Sequence, residues 1–141
     1  MEKKILLIED EKYLFEMYKM KLEQGKYKVL VAIDGEEGMN IAKKEKPDLI
    51  LLDLVLPRMN GYEFLRKIRK DPKLKKTKIY ILSNLGQDEE IEQGFKEGAD
   101  GYMIKTNLTP KQLLENIGEI FSGKTVGLRR QVGIKEKNKS Y

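Results

Sequence analysis

The sequence predicts an α/β fold, a single five-stranded parallel sheet with helices on both faces. Five short apolar runs alternate strictly with five longer segments of helical period, a pattern that builds parallel sheets through crossover helices. The middle run, Leu49-Ile50-Leu51-Leu52, has no polar residue at alternate positions. An amphipathic strand would alternate, so this one suits burial on both faces. It ends in Asp53, with the turn-forming Pro57 and Gly61 shortly after. Alone, Asp53 reads equally well as a site residue at the strand's C-terminal end or as a mere helix cap or solvent-facing acid.

Taken in order, the first run is Ile5-Leu6-Leu7-Ile8, ending in Glu9-Asp10. A helix follows with Leu14, Met17, Tyr18 and Leu22 on one face, closing at Gly25. The second run, from Tyr27 to Ile33, leads to Asp34, which with Glu37 has the spacing of a capping box, Asp replacing Ser or Thr. Asp34 is therefore read as a cap and not as a site residue. Helix two turns Ile41 and Ala42 inward and stops before Pro47. After the third run, helix three shows Tyr62, Leu65 and Ile68-Arg69 and ends near Asp71-Pro72. Run four, Ile79 to Leu82, ends in Ser83-Asn84; helix four, roughly Gln87 to Glu97, closes at Gly98. Run five is Gly101 to Ile104, ending at Lys105. Helix five starts after Thr109-Pro110, an N-cap and a first-position proline, with Leu113, Leu114, Ile117, Ile120 and Phe121 inward. Right-handed crossovers leave few arrangements for five such units, and the flavodoxin-like order 2-1-3-4-5 is the commonest.

At 141 residues the chain is read as one domain over 1–123, followed by a basic C-terminal tail, 124–141, expected to be disordered or a linker. That tail holds six Lys/Arg and one Glu, while the body balances 22 of each sign. The charge of +5 thus says nothing about a nucleic-acid surface on the fold itself. No apolar run approaches the ~20 residues that span a membrane. The start, Met1-Glu2-Lys3-Lys4, is unlike a signal peptide, so a cytoplasmic location and no membrane partner are expected. Without cysteine or histidine there is no disulfide, no thiolate chemistry and no Ser-His-Asp triad. Any metal must be a hard ion held by oxygens.

In a parallel sheet the strand C-termini share one edge, which gathers Glu9-Asp10, Asp53, Ser83 and Lys105. Three close carboxylates repel, by on the order of 4 kcal/mol per pair at 4 Å and an effective dielectric of 20. Lys105 offsets part of this; a divalent cation offsets more, and an oxygen-only cluster with few ligands suits Mg²⁺. A cation, an ammonium and a hydroxyl around one carboxylate are the parts that stabilise a phosphoryl group in transfer, with the carboxylate as nucleophile.

From residue 3 to about 122 the chain resembles the response-regulator receiver domain of two-component signalling, the CheY-like family. The resemblance is carried by Glu9-Asp10, Asp53 with Pro57 and Gly61, Ser83, and Tyr102 three residues before Lys105. It implies Asp53 as the phospho-acceptor. It also implies a Mg²⁺ site of Asp10, Asp53, the Val55 backbone carbonyl and Glu9, the last acting mainly through water. Ser83 would bond the phosphoryl oxygen, Lys105 would pair with Asp53 and then with the phosphoryl group, and Tyr102 would be the switch aromatic that follows Ser83. The partners implied are a histidine kinase or phosphotransfer protein and a downstream output protein or missing output domain. Output would run through the helix 4–strand 5–helix 5 face, also the expected surface of a possible homodimer. Nothing resembles a helix-turn-helix, so no sequence-specific DNA binding by this chain is expected.

Three residues depart from the family pattern. Thr106 replaces the usual proline after Lys105, and a cis bond before a non-proline residue costs about 3–4 kcal/mol, so a trans bond and a different loop are expected. Val55 and Leu85 are apolar where relatives often orient a hydrolytic water, which implies a long-lived phosphoform. Asn84 replaces a small residue and narrows access to the site. A phosphatase with an Asp nucleophile is the competing enzyme reading, but such enzymes usually carry a second Asp two residues on, where this chain has Val55. A receiver-like module that no longer takes phosphate fits the intact acid, serine and lysine set less well.

Overall fold

The computed structural model describes residues 2–128. Its strands are β1 (Lys4–Ile8), β2 (Lys28–Ala32), β3 (Leu49–Leu52), β4 (Lys78–Ser83) and β5 (Gly101–Ile104). Between them run α1 (Lys12–Gln24), α2 (Gly35–Glu45), α3 (Gly61–Lys70) and α4 (Asp88–Lys96), with α5 (Pro110–Phe121) last. A 3-10 turn over Lys105–Asn107 joins β5 to α5. The sheet order is β2-β1-β3-β4-β5 with every neighbouring pair parallel, the arrangement that the alternation predicts.

The sheet separates two apolar cores. On one side Leu6, Ile8, Ile50, Leu52, Ile79, Ile81 and Tyr102 pack with α2, α3 and α4. On the other, Ile5, Leu7, Leu49, Leu51, Tyr80, Leu82 and Met103 pack with α1 and α5. The period-2 side-chain alternation of each strand sends successive residues to opposite cores. Both faces of β3 are therefore apolar, and all four of its residues are fully buried.

Helix starts follow local hydrogen bonding. Asp34 accepts from the Glu37 N–H at 2.7 Å. The reciprocal bond to Glu37 comes from Ile33 N–H, one residue before the cap, at 2.9 Å. Thr109 and Gln112 close a full capping box at the start of α5. Two features went unread in the sequence: Asn60 caps α3 by accepting from Glu63 N–H, and Phe64 is fully buried, deeper in the core than the half-buried Tyr62.

Residues 124–128 correct the expectation of a free tail from 124 onward. Val126 is buried in the α1/α5 core, and Leu128 packs on the opposite core while its N–H donates to the Tyr102 carbonyl at 2.8 Å. These two apolar residues cover the sheet margin, so packed chain extends past the expected boundary at 123 to at least Leu128. The remainder of that segment, 129–141, lies outside the described residues.

Candidate functional site

The hydrogen-bond ladder runs one residue beyond the strands and places two acids side by side. Glu9 N–H donates to the Ala32 carbonyl and Asp53 N–H to the Ile8 carbonyl, at 2.9 and 3.0 Å. One oxygen from each of Glu9, Asp10 and Asp53 can lie within 4.8 Å of the others. Glu9, Asp10, Asp53, Val55, Ser83, Leu85 and Lys105 together line a cavity of about 230 Å³ at the C-terminal edge of the sheet. Glu9, Asp53, Ser83 and Lys105 are buried there, whereas Asp10 is exposed.

Lys105 ties the cluster together. Its Nζ bonds Glu9 Oε1 and, at 2.9 Å, Asp53 Oδ2. Burial opposes its charge, yet the bonds to Glu9 and Asp53 prevail and hold its pKa above the usual lysine value. For Glu9 desolvation wins, raising its carboxyl above the ordinary range despite the Lys105 bond and the Glu11 N–H on its other oxygen. Oδ1 of Asp53 accepts only a long 3.3 Å bond from Val55 N–H, which leaves it the more available of the two carboxylate oxygens for chemistry.

The loop after Asp53 is folded back onto it. Gly61 N–H donates to the Leu54 carbonyl at 3.0 Å. A Cβ at Gly61 would come closer than 3.0 Å to the Asp53 carbonyl oxygen and Leu54 Cα, so only glycine closes the turn here. Arg58, at φ 65°, reaches across to Asp34 Oδ2 at 2.6 Å. That ion pair latches the loop to the start of α2. The sequence carries no signal for it, because Asp34 already satisfies a cap.

Tyr102 does not line the cavity. It lies fully buried in β5 with its hydroxyl donating to the Leu85 carbonyl, while Leu85 N–H donates to Ser83 Oγ at 3.3 Å. Burial raises the Tyr102 phenol far above its ordinary value, so it stays a donor. Ser83 and Tyr102 are thus two bonds apart through the Leu85 backbone. After Lys105 the peptide bond is trans, as are all the bonds among the described residues.

The donor set fits a hard divalent cation: three carboxylates, no nitrogen or sulfur ligand, and one exposed acid to admit the ion. A larger groove of about 480 Å³ lies at the opposite end of the strands, between Lys43, Lys46 and Asp71–Leu74. It holds one acid and no comparable cluster.

Known proteins share both the sequence and the shape. The chain is 40% identical over 107 residues to the alkaline phosphatase synthesis transcriptional regulatory protein PhoP of Bacillus subtilis, covering 74% of this chain and 43% of that protein. It is 32% identical over 122 residues to protein PilH of Pseudomonas aeruginosa, covering 85% and 98%. It spans under half the length of the longer transcriptional regulators that it matches. The chemotaxis response regulator CheY4 of Vibrio cholerae superposes with a TM-score of 0.79 at 29% identity, over 85% of this chain and 99% of that one. Among the described residues no helix is long and apolar enough to cross a membrane. The model of the response regulator receiver domain matches residues 5–118, and on that match, with its five-stranded sheet and strand-end acids, the chain belongs to the response regulator receiver family.

Proposed function

We propose that Asp53 accepts a phosphoryl group from a histidine kinase or phosphotransfer protein in the cytoplasm, in a Mg²⁺-dependent reaction. The resulting change is read on the α4–β5–α5 face by a downstream protein or output domain. The observation that carries this reading is the pairing of Asp53 Oδ2 with Lys105 while Oδ1 accepts only the long bond from Val55 N–H, in a residue that lines the cavity. In the transfer, an Asp53 carboxylate oxygen forms a bond to phosphorus as the bond from phosphorus to the donor imidazole nitrogen breaks, and the imidazole keeps that electron pair. Asp10 and Asp53, with Glu9 and the Val55 carbonyl in reach, would hold Mg²⁺, which supplies charge neutralisation to the phosphoryl oxygens. Lys105 stands within one bond of Asp53 to pair with the incoming phosphoryl group. Ser83 Oγ faces the same cavity as a further donor. When Ser83 turns toward the phosphoryl oxygen it gives up the Leu85 N–H, and the Leu85–Tyr102 bond transmits the shift to β5.

Acetyl phosphate and Mg²⁺ test this directly. Intact mass should show one phosphate adduct on the wild type and none on Asp53→Asn. No adduct on the wild type overturns the proposal, and rapid release of free phosphate would favour a hydrolase.

A further inference from the structure

We infer that the face formed by the C-terminal ends of α2 and α3 and the loop into β4 binds duplex nucleic acid through its phosphodiester backbone, without reading its sequence. Residues 66–78 carry eight Lys/Arg and a single acid, Asp71. The body is neutral as a whole, so this surplus is a local concentration of charge and not an average property of the chain. The groove of about 480 Å³ lies within it, where Lys43, Lys46 and Lys73 stand beside Pro72 and Leu74. It is at the opposite end of the strands from Asp53, so a ligand here leaves the acidic cavity open.

The lysines of this face take no part in the ion pairs of the fold. Arg66 and Arg69 are paired, with Glu97 and Asp100. Lys43, Lys46, Lys70, Lys73, Lys75 and Lys76 are exposed, and among the described residues none of them has an acid as partner. Cations in the last turn of a helix offset its dipole, which accounts for Lys43 and Lys70. Lys73, Lys75 and Lys76 lie beyond α3 and have no such role. Their loop is nevertheless fixed in place. Arg69 Nη1 donates to the Lys75 and Thr77 carbonyls, at 3.0 and 2.6 Å, and Nε to the Gly98 carbonyl at 2.8 Å. Asp71 Oδ1 accepts from Lys73 N–H at 2.9 Å, which engages the one acid of the groove, and Leu74 is buried in the core. A backbone ordered before the ligand arrives lowers the cost of binding it.

The chemistry of the face selects the occupant. Its unpaired cations are lysines, point charges that suit phosphate but lack the fork that reads a base edge. The large exposed apolar side chains Tyr13, Met20, Ile33 and Val55 all lie elsewhere. No apolar anchor therefore offers itself to a lipid interface or to the hot spot of a protein partner, and no exposed aromatic ring to a stacked base. What remains is positive charge spread over several elements. It matches the linear charge of a duplex, one negative charge per about 1.7 Å of axis.

The test uses the full chain without metal or phosphoryl donor, so its outcome is separate from the role of Asp53. Fluorescence anisotropy follows binding to a labelled DNA duplex over a range of salt concentrations. The wild type is compared with a variant carrying Lys43→Gln, Lys46→Gln and Lys73→Gln. One control removes the same charge from α1 and α5 (Lys12→Gln, Lys19→Gln, Lys111→Gln), and another from the basic C-terminal segment (Arg129→Gln, Arg130→Gln, Lys135→Gln). Each variant is first shown to keep the wild-type melting midpoint. The groove variant should bind at least tenfold more weakly, and its slope of log affinity against log salt should be smaller by roughly 2 to 3, at about 0.9 per lysine. Duplexes of unrelated sequence should bind alike. No binding by the wild type, an equal loss in the α1/α5 control, a loss confined to the C-terminal variant, a strong sequence preference, or tighter binding to vesicles of anionic phospholipid would each overturn the proposal.

Discussion

Lys105 serves two carboxylates at once, and its removal shows what each side chain of the cluster costs. In Lys105→Met, Glu9 and Asp53 stay buried and unpaired. Breaking a buried pair costs about 3–5 kcal/mol, so urea unfolding without metal should show a loss of about 3 kcal/mol. Added Mg²⁺ should restore part of it. Val55, 62% exposed at the rim, offers no group to orient water. Val55→Glu should shorten the lifetime of the phosphoform tenfold or more, measured by adduct decay, because a positioned base typically contributes about 10²–10⁴-fold. Glu9, Asp53 and Lys105 were legible in the sequence because each closes an apolar run, and the parallel topology then brings run ends together. Arg58 was not legible. Its role depends on a left-handed backbone and a partner 24 positions away in sequence, neither of which a local pattern encodes.

At the scale of elements, the start of α2 is the best-defined joint. Glu37 N–H, then Arg58, hold the Asp34 carboxyl below its ordinary value of 3.8. A depressed acid stabilises the fold above its unfolded value, and that share is lost as pH falls through the folded one. Asp34→Ala should therefore cost about 1 kcal/mol at pH 7. Denaturant titrations below pH 3.8 should find wild type and variant converging. The cap was readable because an Asp three residues before a Glu, after an apolar run, has few local alternatives. Asn60 could have been read the same way, from its own Glu three residues on. The packing of 124–128 could not: its composition is that of a tail, and only the tertiary edge that Val126 and Leu128 cover explains it. Phe64 was missed for a related reason, since the wide apolar face of α3 admits more than one inward register and packing decides between them.

For the whole molecule, the sheet is one cooperative unit sandwiched between its two cores, so binding at one edge should stabilise all of it. Mg²⁺ at a hundred times its dissociation constant should add about 2.7 kcal/mol to the unfolding free energy. Asp10→Ala should abolish most of that gain, read as an absent shift in the thermal midpoint. Strand order and the site's position were both legible before any coordinates, because alternation, crossover handedness and buried strands leave few solutions. The cluster holds a further quantity that the sequence carried without advertising it. Three carboxylates and one ammonium leave two negative charges over, the valence of a single divalent ion. Phosphorylating Asp53 would raise that surplus and draw Lys105 away from Glu9. Reciprocity then requires that the modified protein grip its ion more tightly, by the same factor with which the ion favours the modified protein.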